Sequence, residues 1–226
     1  MRYFILVLMC GLLAGCGLIR SDSSATRDSL LVVINYNEVG VVFNMLSGEL
    51  GDPLGPGTYV INPFTQEVTV YFIGQQEYTM RHTEGDPQPH GDSISTRSSD
   101  GQEIYVDVSV LYSIDPANVN IVHERLQNRY AENFIRPTLR GVMRETVATF
   151  TAEQLYGEAR ATLEADAQER VAELMEEQGF ILVDLLVRDI IFTAEFAQSM
   201  ESTLIAEQNE LRTATAAAQI TATPSP

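Results

Sequence analysis

The sequence predicts an α+β fold in which a mixed or antiparallel sheet packs against helices and a C-terminal helix follows. Apolar and polar residues alternate with a period of two over residues 104–114, as in a strand with one buried face. Residues 151–154 (TAEQ) fit a capping box, and apolar residues at helical spacing follow them. Residues 180–192 form a last apolar run that only three charged residues interrupt. Strands therefore dominate the first half of the chain and helices the second.

The chain begins with a segment that resembles the signal of a bacterial lipoprotein. A short positive region and an almost wholly apolar stretch precede the sequence LAGC, which ends at Cys16. This pattern predicts a signal peptide over residues 1–15, cleavage before Cys16, and lipid attached to that cysteine. A polar stretch then predicts a tether over residues 16–29. The alternative is an uncleaved membrane-spanning helix over residues 3–19, at the lower limit of spanning length.

The composition is strongly acidic, with 31 Asp+Glu against 14 Lys+Arg and a formal net charge of −17. Such a surface repels phosphate backbones, which argues against nucleic-acid binding. It also repels anionic headgroups, so attachment to membrane lipids has to come from an anchor rather than from a basic patch. Cys10 lies in the predicted signal, so lipidation of Cys16 leaves no thiol for a disulfide.

The folded region is expected to begin at Leu30 with short strands. Strand-like runs bounded by Gly, Pro, Asn and Asp occupy residues 30–44 (two strands that meet near Asn37), 58–61 and 68–73. Phe64 follows a proline and is expected to anchor its turn in the core. Residues 82–98 predict a surface loop with a brief strand at Ile94.

The clearest strand covers residues 103–114. Its alternation places Val106, Val108 and Val110 on one buried face. The opposite face, which carries Ser109, is expected to be partly polar and to accept a charge more readily.

Three helices are predicted before the last strand. Asp115 and Pro116 indicate the N-cap and first position of a helix that reaches about residue 126. A second helix is expected over residues 131–149. The third runs without a break from Thr151 to Gly179, which occupies the place of a helix-ending glycine.

A fourth helix is expected over residues 193–219, followed by a disordered tail over residues 220–226. Apolar residues at alternating spacings of three and four give this helix a weak heptad pattern, which Glu207 interrupts. The residues expected to make subunit contacts are Met200, Leu204 and Leu211. The alternative is a helix that packs back onto its own domain.

The sequence carries no motif for catalysis, cofactor binding or metal binding. It has neither a GxSxG elbow nor a phosphate loop. Its three histidines, His82, His90 and His123, do not belong to an HExxH pattern. With no cysteine after Cys16, a zinc site is disfavoured, and a non-enzymatic role is expected.

Five short motifs resemble, in the right order, those of the SPFH/Band 7 superfamily of prohibitins, stomatins and flotillins. They are residues 38–42 (EVGVV), 55–64 (GPGTYVINPF), 99–116 (with DGQ, VDVSV and YSIDP), 135–140 (IRPTLR) and 179–190 (beginning GF and ending RDI). Together they cover residues 30–192, which the resemblance assigns to one SPFH domain. The anchor and the single domain are most similar to the prohibitin and HflK/HflC type.

The resemblance implies a membrane scaffold that forms homo-oligomers, here lipid-anchored at the extracytoplasmic face of the cell membrane. It implies that the assembly organises membrane microdomains or regulates a membrane protein, such as an FtsH-like protease or an NfeD-like partner. The competing interpretation is a monomeric ligand-binding or envelope-stress lipoprotein. The mass of the native particle separates these two interpretations.

Overall fold

The computed structural model describes residues 24–27, 30–83 and 90–221, with the backbone alone for 24–27, 207 and 214–221. The predicted signal peptide, Cys16 and most of the predicted tether lie outside the described residues, as does the chain after residue 221.

The N-terminal half forms a unit of short strands in two layers. Its strands are β1 (Ser24–Arg27), β2 (Leu31–Ile34), β3 (Glu38–Asn44), β4 (Glu49–Leu50), β5 (Gly57–Val60) and β6 (Gln66–Phe72). One sheet has the order β1-β6-β3-β4, and β2 pairs with β5 in the other. The two strands expected over residues 30–44 are present and lie in different sheets. The described part of the predicted tether is strand β1, so the folded region starts before Leu30.

A small apolar core lies between these two layers. It consists of Val32, Ile34, Val42, Ile61, Val68 and Val70. Ile61 closes this core before the turn into β6, whereas Phe64 is 88% exposed. The turn is held by Asn62, whose Oδ1 accepts the N–H of Phe64 at 3.1 Å, and it leaves the ring outside. The expectation that Phe64 anchors the turn in the core is therefore wrong.

A third sheet is built around one long central strand. Its members are β7 (Gln76–Met80), β8 (Ile94–Arg97), β9 (Glu103–Ile114) and β10 (Phe180–Phe192). Strand β9 pairs with β10 on one side and with β7 and β8 on the other, always antiparallel. The bounds of β9 and β10 and the brief strand at Ile94 agree with the sequence prediction, whereas β7 was not anticipated.

Both faces of β9 are buried at its centre. Val106, Val108 and Val110 are fully buried, as predicted, but Ser109 is fully buried as well. The hydroxyl of Ser109 lies 2.6 Å from that of Thr79 and accepts a hydrogen bond from the Arg188 guanidinium. The polar position on this face is therefore enclosed by hydrogen-bond partners and not exposed as expected.

In the described part of the chain, four α-helices lie between β9 and β10, and a fifth follows β10. They are α1 (Val119–Arg125), α2 (Arg136–Val147), α3 (Ala152–Tyr156), α4 (Arg160–Glu176) and α5 (Ala194–Thr221). A 3₁₀ turn (Gln127–Arg129) and a π-helical turn (Ala131–Ile135) join α1 to α2. Buried residues of α2 and α4, among them Leu139 and Leu163, share one large core with Val108. The predicted α+β fold is confirmed.

Two helix predictions need correction. Asp115 does not cap α1. Its carboxylate accepts hydrogen bonds from the backbone N–H of Ala117 at 3.0 Å and from the side-chain amide of Asn118 at 2.7 Å. These bonds form a turn, and the helix begins only at Val119. The helix expected from Thr151 onward is two helices, since the backbone leaves the helical conformation at Gly157.

Gly179 is placed as predicted, directly before β10. It has a φ of +83°, in the left-handed region that favours glycine. A Cβ at this position would also lie 2.9 Å from the carbonyl oxygen of Asn118. The turn from α4 into β10 therefore requires glycine.

Candidate functional site

Helix α5 leaves the domain after a short aromatic attachment. The rings of Phe192 and Phe196 stack with centroids 5.3 Å apart, and Tyr156 of α3 lies 5.5 Å from Phe192. Phe196 is the residue of α5 that packs, partly buried, against the main core. The described side chains beyond it belong to a helix that extends outward into solvent.

The three residues expected to make subunit contacts all lie on this outward part of α5. Met200 is half-buried, Leu204 is 43% exposed and Leu211 is 68% exposed. Ile205 is also exposed and was not anticipated, because it falls outside the heptad pattern. The sequence does show Ile205 directly after Leu204, and this pair of apolar residues indicated a wider apolar surface than the heptad pattern alone. Nothing in the described part of the chain covers these side chains enough to bury them.

A second exposed apolar surface lies at one end of the N-terminal unit, and we call it the rim. It consists of Leu30, Met45, Leu46, Val60 and Phe64, all exposed. Backbone bonds bring these residues together, since Ile61 N–H donates to Leu30 O and Met45 N–H donates to Thr65 O. Leu46 and Phe64 protrude furthest, at 80% and 88% exposure, from two neighbouring turns.

Large exposed apolar patches on a soluble surface usually mark a contact with protein or membrane. Sequence reasoning missed the rim because its residues come from three separate turns and strands. The apolar residues of these turns were the available signal, but the sequence pattern did not show which of them face outward.

A polar cleft lies between β6 and the end of α1. Tyr71 of β6 is fully buried, and its hydroxyl lies 2.7 Å from Nδ1 of His123 on α1. Burial lowers the pKa of His123 below its ordinary value and raises that of Tyr71. His123 is therefore neutral at pH 7, and the protonated Tyr71 hydroxyl can donate to it.

The other polar clusters are built into the fold. The Asp107 carboxylate accepts from the Ser93 hydroxyl and from the N–H of His82. Asp92 receives the guanidinium groups of Arg136 and Arg140. These contacts tie the ends of the loop after β7 to β9 and α2, and we assign them a structural role.

Within the described residues, no cluster of three or more His, Cys, Asp or Glu side chains is arranged to hold a metal ion. In the same part of the chain, no helix combines the length and the apolar character that membrane crossing demands.

Three curated proteins illustrate what the chain is similar to. Prohibitin-4, mitochondrial, of Arabidopsis thaliana is 24% identical over 190 residues, which cover 84% of this chain and 63% of that protein. Mitochondrial prohibitin complex protein 1 of Caenorhabditis elegans is 22% identical over 200 residues, with coverages of 88% and 68%. Prohibitin-2 of Gallus gallus is 24% identical over 202 residues, with coverages of 89% and 62%. The chain thus spans roughly two thirds of the length of these relatives, and less than that of two of them.

The family model of the SPFH domain / Band 7 family matches residues 32–223. This match runs from β2, the first strand of the two-stranded sheet, through the strands and helices that follow, to the end of α5. The five sequence motifs fall inside it. The chain therefore belongs to the SPFH domain / Band 7 family.

Proposed function

We propose that this protein is a membrane-anchored scaffold whose subunits assemble side by side through α5. The observation that carries the proposal is the exposed apolar surface of α5, formed by Leu204, Ile205 and Leu211 on a helix that extends beyond its own domain. The family and the similarity to a protein named as part of a prohibitin complex support the same role.

The energetics favour assembly at a membrane over assembly in solution. Full burial of a Leu or Met side chain stabilises a contact by roughly 1.5–3 kcal/mol. Burial of only three such side chains, those of Met200, Leu204 and Leu211, is too little to offset the entropy of association for a tight dimer in solution. Anchoring raises the local concentration of neighbours, and a closed ring lets each subunit use two interfaces.

We propose lipid on Cys16 as the anchor and the rim as the surface that rests on the bilayer. Strand β1 places Ser24 beside Tyr71, about 17 Å along β6 from Gln66, where the rim begins. The eight peptide units from Cys16 to Ser24 can span at most about 28 Å. A lipid on Cys16 can therefore reach the rim end of the N-terminal unit.

With that anchor, we propose that the domain lies on the extracytoplasmic face of the cell membrane, because a lipoprotein signal implies export. The role we propose is non-catalytic: the assembly organises membrane lipids or regulates a membrane protein. The partner classes we propose are an FtsH-like membrane protease and an NfeD-like protein. The basis for both is the family resemblance.

The decisive measurement is the mass of the intact particle. The chain contains no lysine, so amine-reactive crosslinkers are unsuitable, and native electrophoresis or electron microscopy of solubilised membranes is preferable. We expect a large assembly for the unaltered protein and small particles for Leu204→Asp combined with Leu211→Asp. The control is Ser199→Asp with Ser202→Asp, which adds the same charge at exposed positions outside the heptad seam.

A uniform monomer from the lipidated protein would overturn the scaffold proposal and favour the monomeric lipoprotein instead. Anchoring is tested separately by metabolic labelling with a fatty acid. We expect label on the unaltered protein and none on Cys16→Ser. An unlabelled protein that retains residues 1–15 would favour the uncleaved membrane-spanning helix.

A further inference from the structure

The cleft beside Tyr71 and His123 has the shape and chemistry of a small ligand site. Its volume is about 370 Å³, within the range of small-molecule sites. The residues that line it are Phe43, Glu67, Thr69, Tyr71, His123, Gln127 and Asn128.

The cleft follows from the packing of one sheet face against one short helix. Glu67, Thr69 and Tyr71 alternate along β6 and therefore share a face, and Phe43 pairs directly with Glu67 across the sheet. Near Tyr71 this face is covered by α1 and belongs to the main core. Near Glu67 the covering helix has already ended, and the chain turns at Gln127, which has a φ of +53°. The polar half of the face is thus left open.

Glu67 is the charged group that decides which ligand fits. Its side chain is half-buried, and within the described part of the chain the carboxylate makes no ion pair or hydrogen bond, although it interacts electrostatically with His123. A carboxylate held in a confined site without a cation beside it favours binding of one. The Phe43 ring beside it adds a surface that attracts cations, and Thr69 and Asn128 offer hydrogen-bond acceptors.

We propose that this cleft binds a small primary amine in its ammonium form, with Glu67 as the counter-ion and Phe43 as the aromatic wall. Three donors on one ammonium group suit a carboxylate together with hydroxyl and amide oxygens. The net charge of −17 raises the local concentration of cations around the protein. A soluble amine and the headgroup of an ethanolamine lipid share this chemistry. The site does not depend on the assembly proposed for α5.

The neutral state of His123 is part of the site. The charged and titratable groups that face it are Glu67, Glu124 and Tyr71. Because burial lowers the pKa of His123, the imidazole carries no charge at pH 7.5. Protonation at acidic pH would place a second cation in the cleft and oppose binding of the ammonium group.

The test is calorimetric titration of the full-length protein in detergent with ethanolamine and with putrescine at pH 7.5. We expect saturable binding that weakens about tenfold or more in Glu67→Gln, since a charge-assisted contact is lost. The matched control is Glu49→Gln, which removes an exposed carboxylate from neighbouring β4 and should bind as the unaltered protein does. Ethylene glycol, which is similar in size but neutral, should not compete.

Two further arms identify the source of the amine and the role of His123. Competition with ethanolamine by phosphatidylethanolamine added to the detergent micelles, but not by phosphatidylcholine, would assign the lipid headgroup. Saturable ethanolamine binding that neither lipid reduces would assign a soluble amine. Binding should weaken between pH 7.5 and pH 5.5, and His123→Gln should reduce that weakening. Absence of saturable amine binding, or equal binding by Glu67→Gln, would overturn the proposal.

Discussion

The Tyr71 hydroxyl and the His123 imidazole, 2.7 Å apart, join strand β6 of the N-terminal unit to helix α1. The two residues are far apart in the chain, and the rings meet edge to face with centroids 5.8 Å apart. The same contact forms the inner end of the polar cleft. Stability of the domain and the charge of the cleft are therefore linked through one histidine.

We predict that stability falls as pH drops below about 6.5 because of His123. Burial lowers the folded-state pKa of this imidazole, so the unfolded chain takes up a proton at a higher pH than the folded chain does. The loss accumulates from the unfolded value of 6.5 down to the lowered folded value and is constant below it. Urea unfolding at pH 7.5, 6.5 and 5.5 measures it, and His123→Gln should flatten the curve over that window.

Two carboxylates affect the stability of the domain in a separate, more acidic pH range. Hydrogen bonds from Thr79 and Arg188 lower the pKa of Glu77, and the Ser98 hydroxyl lowers that of Asp100. Their contribution is present above the unfolded values of 4.5 and 3.8 and is lost as pH falls through the lowered ones. A stability loss confined to pH below 4.5 would contradict the assignment to His123.

Val108→Asp should unfold the domain. Val108 is fully buried at the centre of β9, and an unpaired buried carboxylate costs several kcal/mol against a total stability of about 5–15 kcal/mol. The control is Ser95→Asp on the exposed face of β8, which adds the same charge beside Arg144. Circular dichroism and urea titration should show a folded control and an unfolded variant. Similar damage from both changes would mean that the register of the sheet is wrong.

The outer edge of β10 is closed by two side chains of α4. The Arg160 guanidinium donates to the carbonyl oxygens of Val187 and Arg188, the latter at 2.8 Å. The Glu164 carboxylate accepts the N–H of Val187 at 2.8 Å. Strand β10 lies at the end of its sheet, so these contacts occupy backbone groups that could otherwise pair with another chain.

We therefore predict that Arg160→Ala combined with Glu164→Ala promotes aggregation. The matched control is Asp166→Ala with Arg170→Ala, which removes one acidic and one basic side chain from the exposed face of α4. Light scattering during slow heating compares the two. Equal onset temperatures would show that the β10 edge needs no protection from α4.

Thr151→Ala should destabilise the domain by about 1 kcal/mol. The Thr151 hydroxyl accepts the N–H of Gln154 at 3.3 Å, and the Gln154 side chain accepts the N–H of Thr151 at 2.9 Å. The control is Thr162→Ala inside α4, where alanine favours the helix and should be neutral or slightly stabilising. Thermal unfolding at pH 7.5 measures both, and equal effects would argue against the cap.

The sequence pattern predicted those elements whose signal is local. The alternation of β9, the apolar run of β10 and the capping box at Thr151 are each readable within about a dozen residues, and each is present as predicted. The two misplaced helix boundaries also depend on local sequence, but there the same residues are compatible with more than one local structure. Asp115 can cap a helix or close a turn, and only the packing of the following residues decides between the two.

The surfaces depend on contacts between distant segments and could not be predicted in the same way. Ile61 and Phe64 are both apolar and lie on either side of Asn62 and Pro63, and only packing between the two sheets of the N-terminal unit determines that Ile61 is the buried one. The cleft needs β6 to meet α1, which no periodicity indicates. Leu204 and Leu211 were found because a heptad pattern is local, although their partner in the proposed assembly is not.

The rim can be tested with a single fluorescent reporter, because the chain contains no tryptophan. Phe64→Trp places an indole at the protruding part of the rim, and Tyr36→Trp places one at the opposite end of the N-terminal unit, where Tyr36 is 86% exposed. If the rim rests on the bilayer, its apolar side chains should enter the boundary between headgroups and acyl chains, about 5–10 Å deep.

In lipidated protein reconstituted into vesicles, we expect blue-shifted emission from Phe64→Trp and quenching by brominated lipids. Tyr36→Trp should emit as in water and should not be quenched, since it lies at the end of the N-terminal unit opposite the rim. Adding Leu46→Ser to Phe64→Trp should reduce the quenching, because a second apolar contact with the acyl region is removed. Water-like emission from both reporters would mean that the rim does not touch the bilayer. The lipid on Cys16 would then have to hold the domain at the membrane alone, and the exposed Leu46 and Phe64 would have to be covered by a protein partner instead.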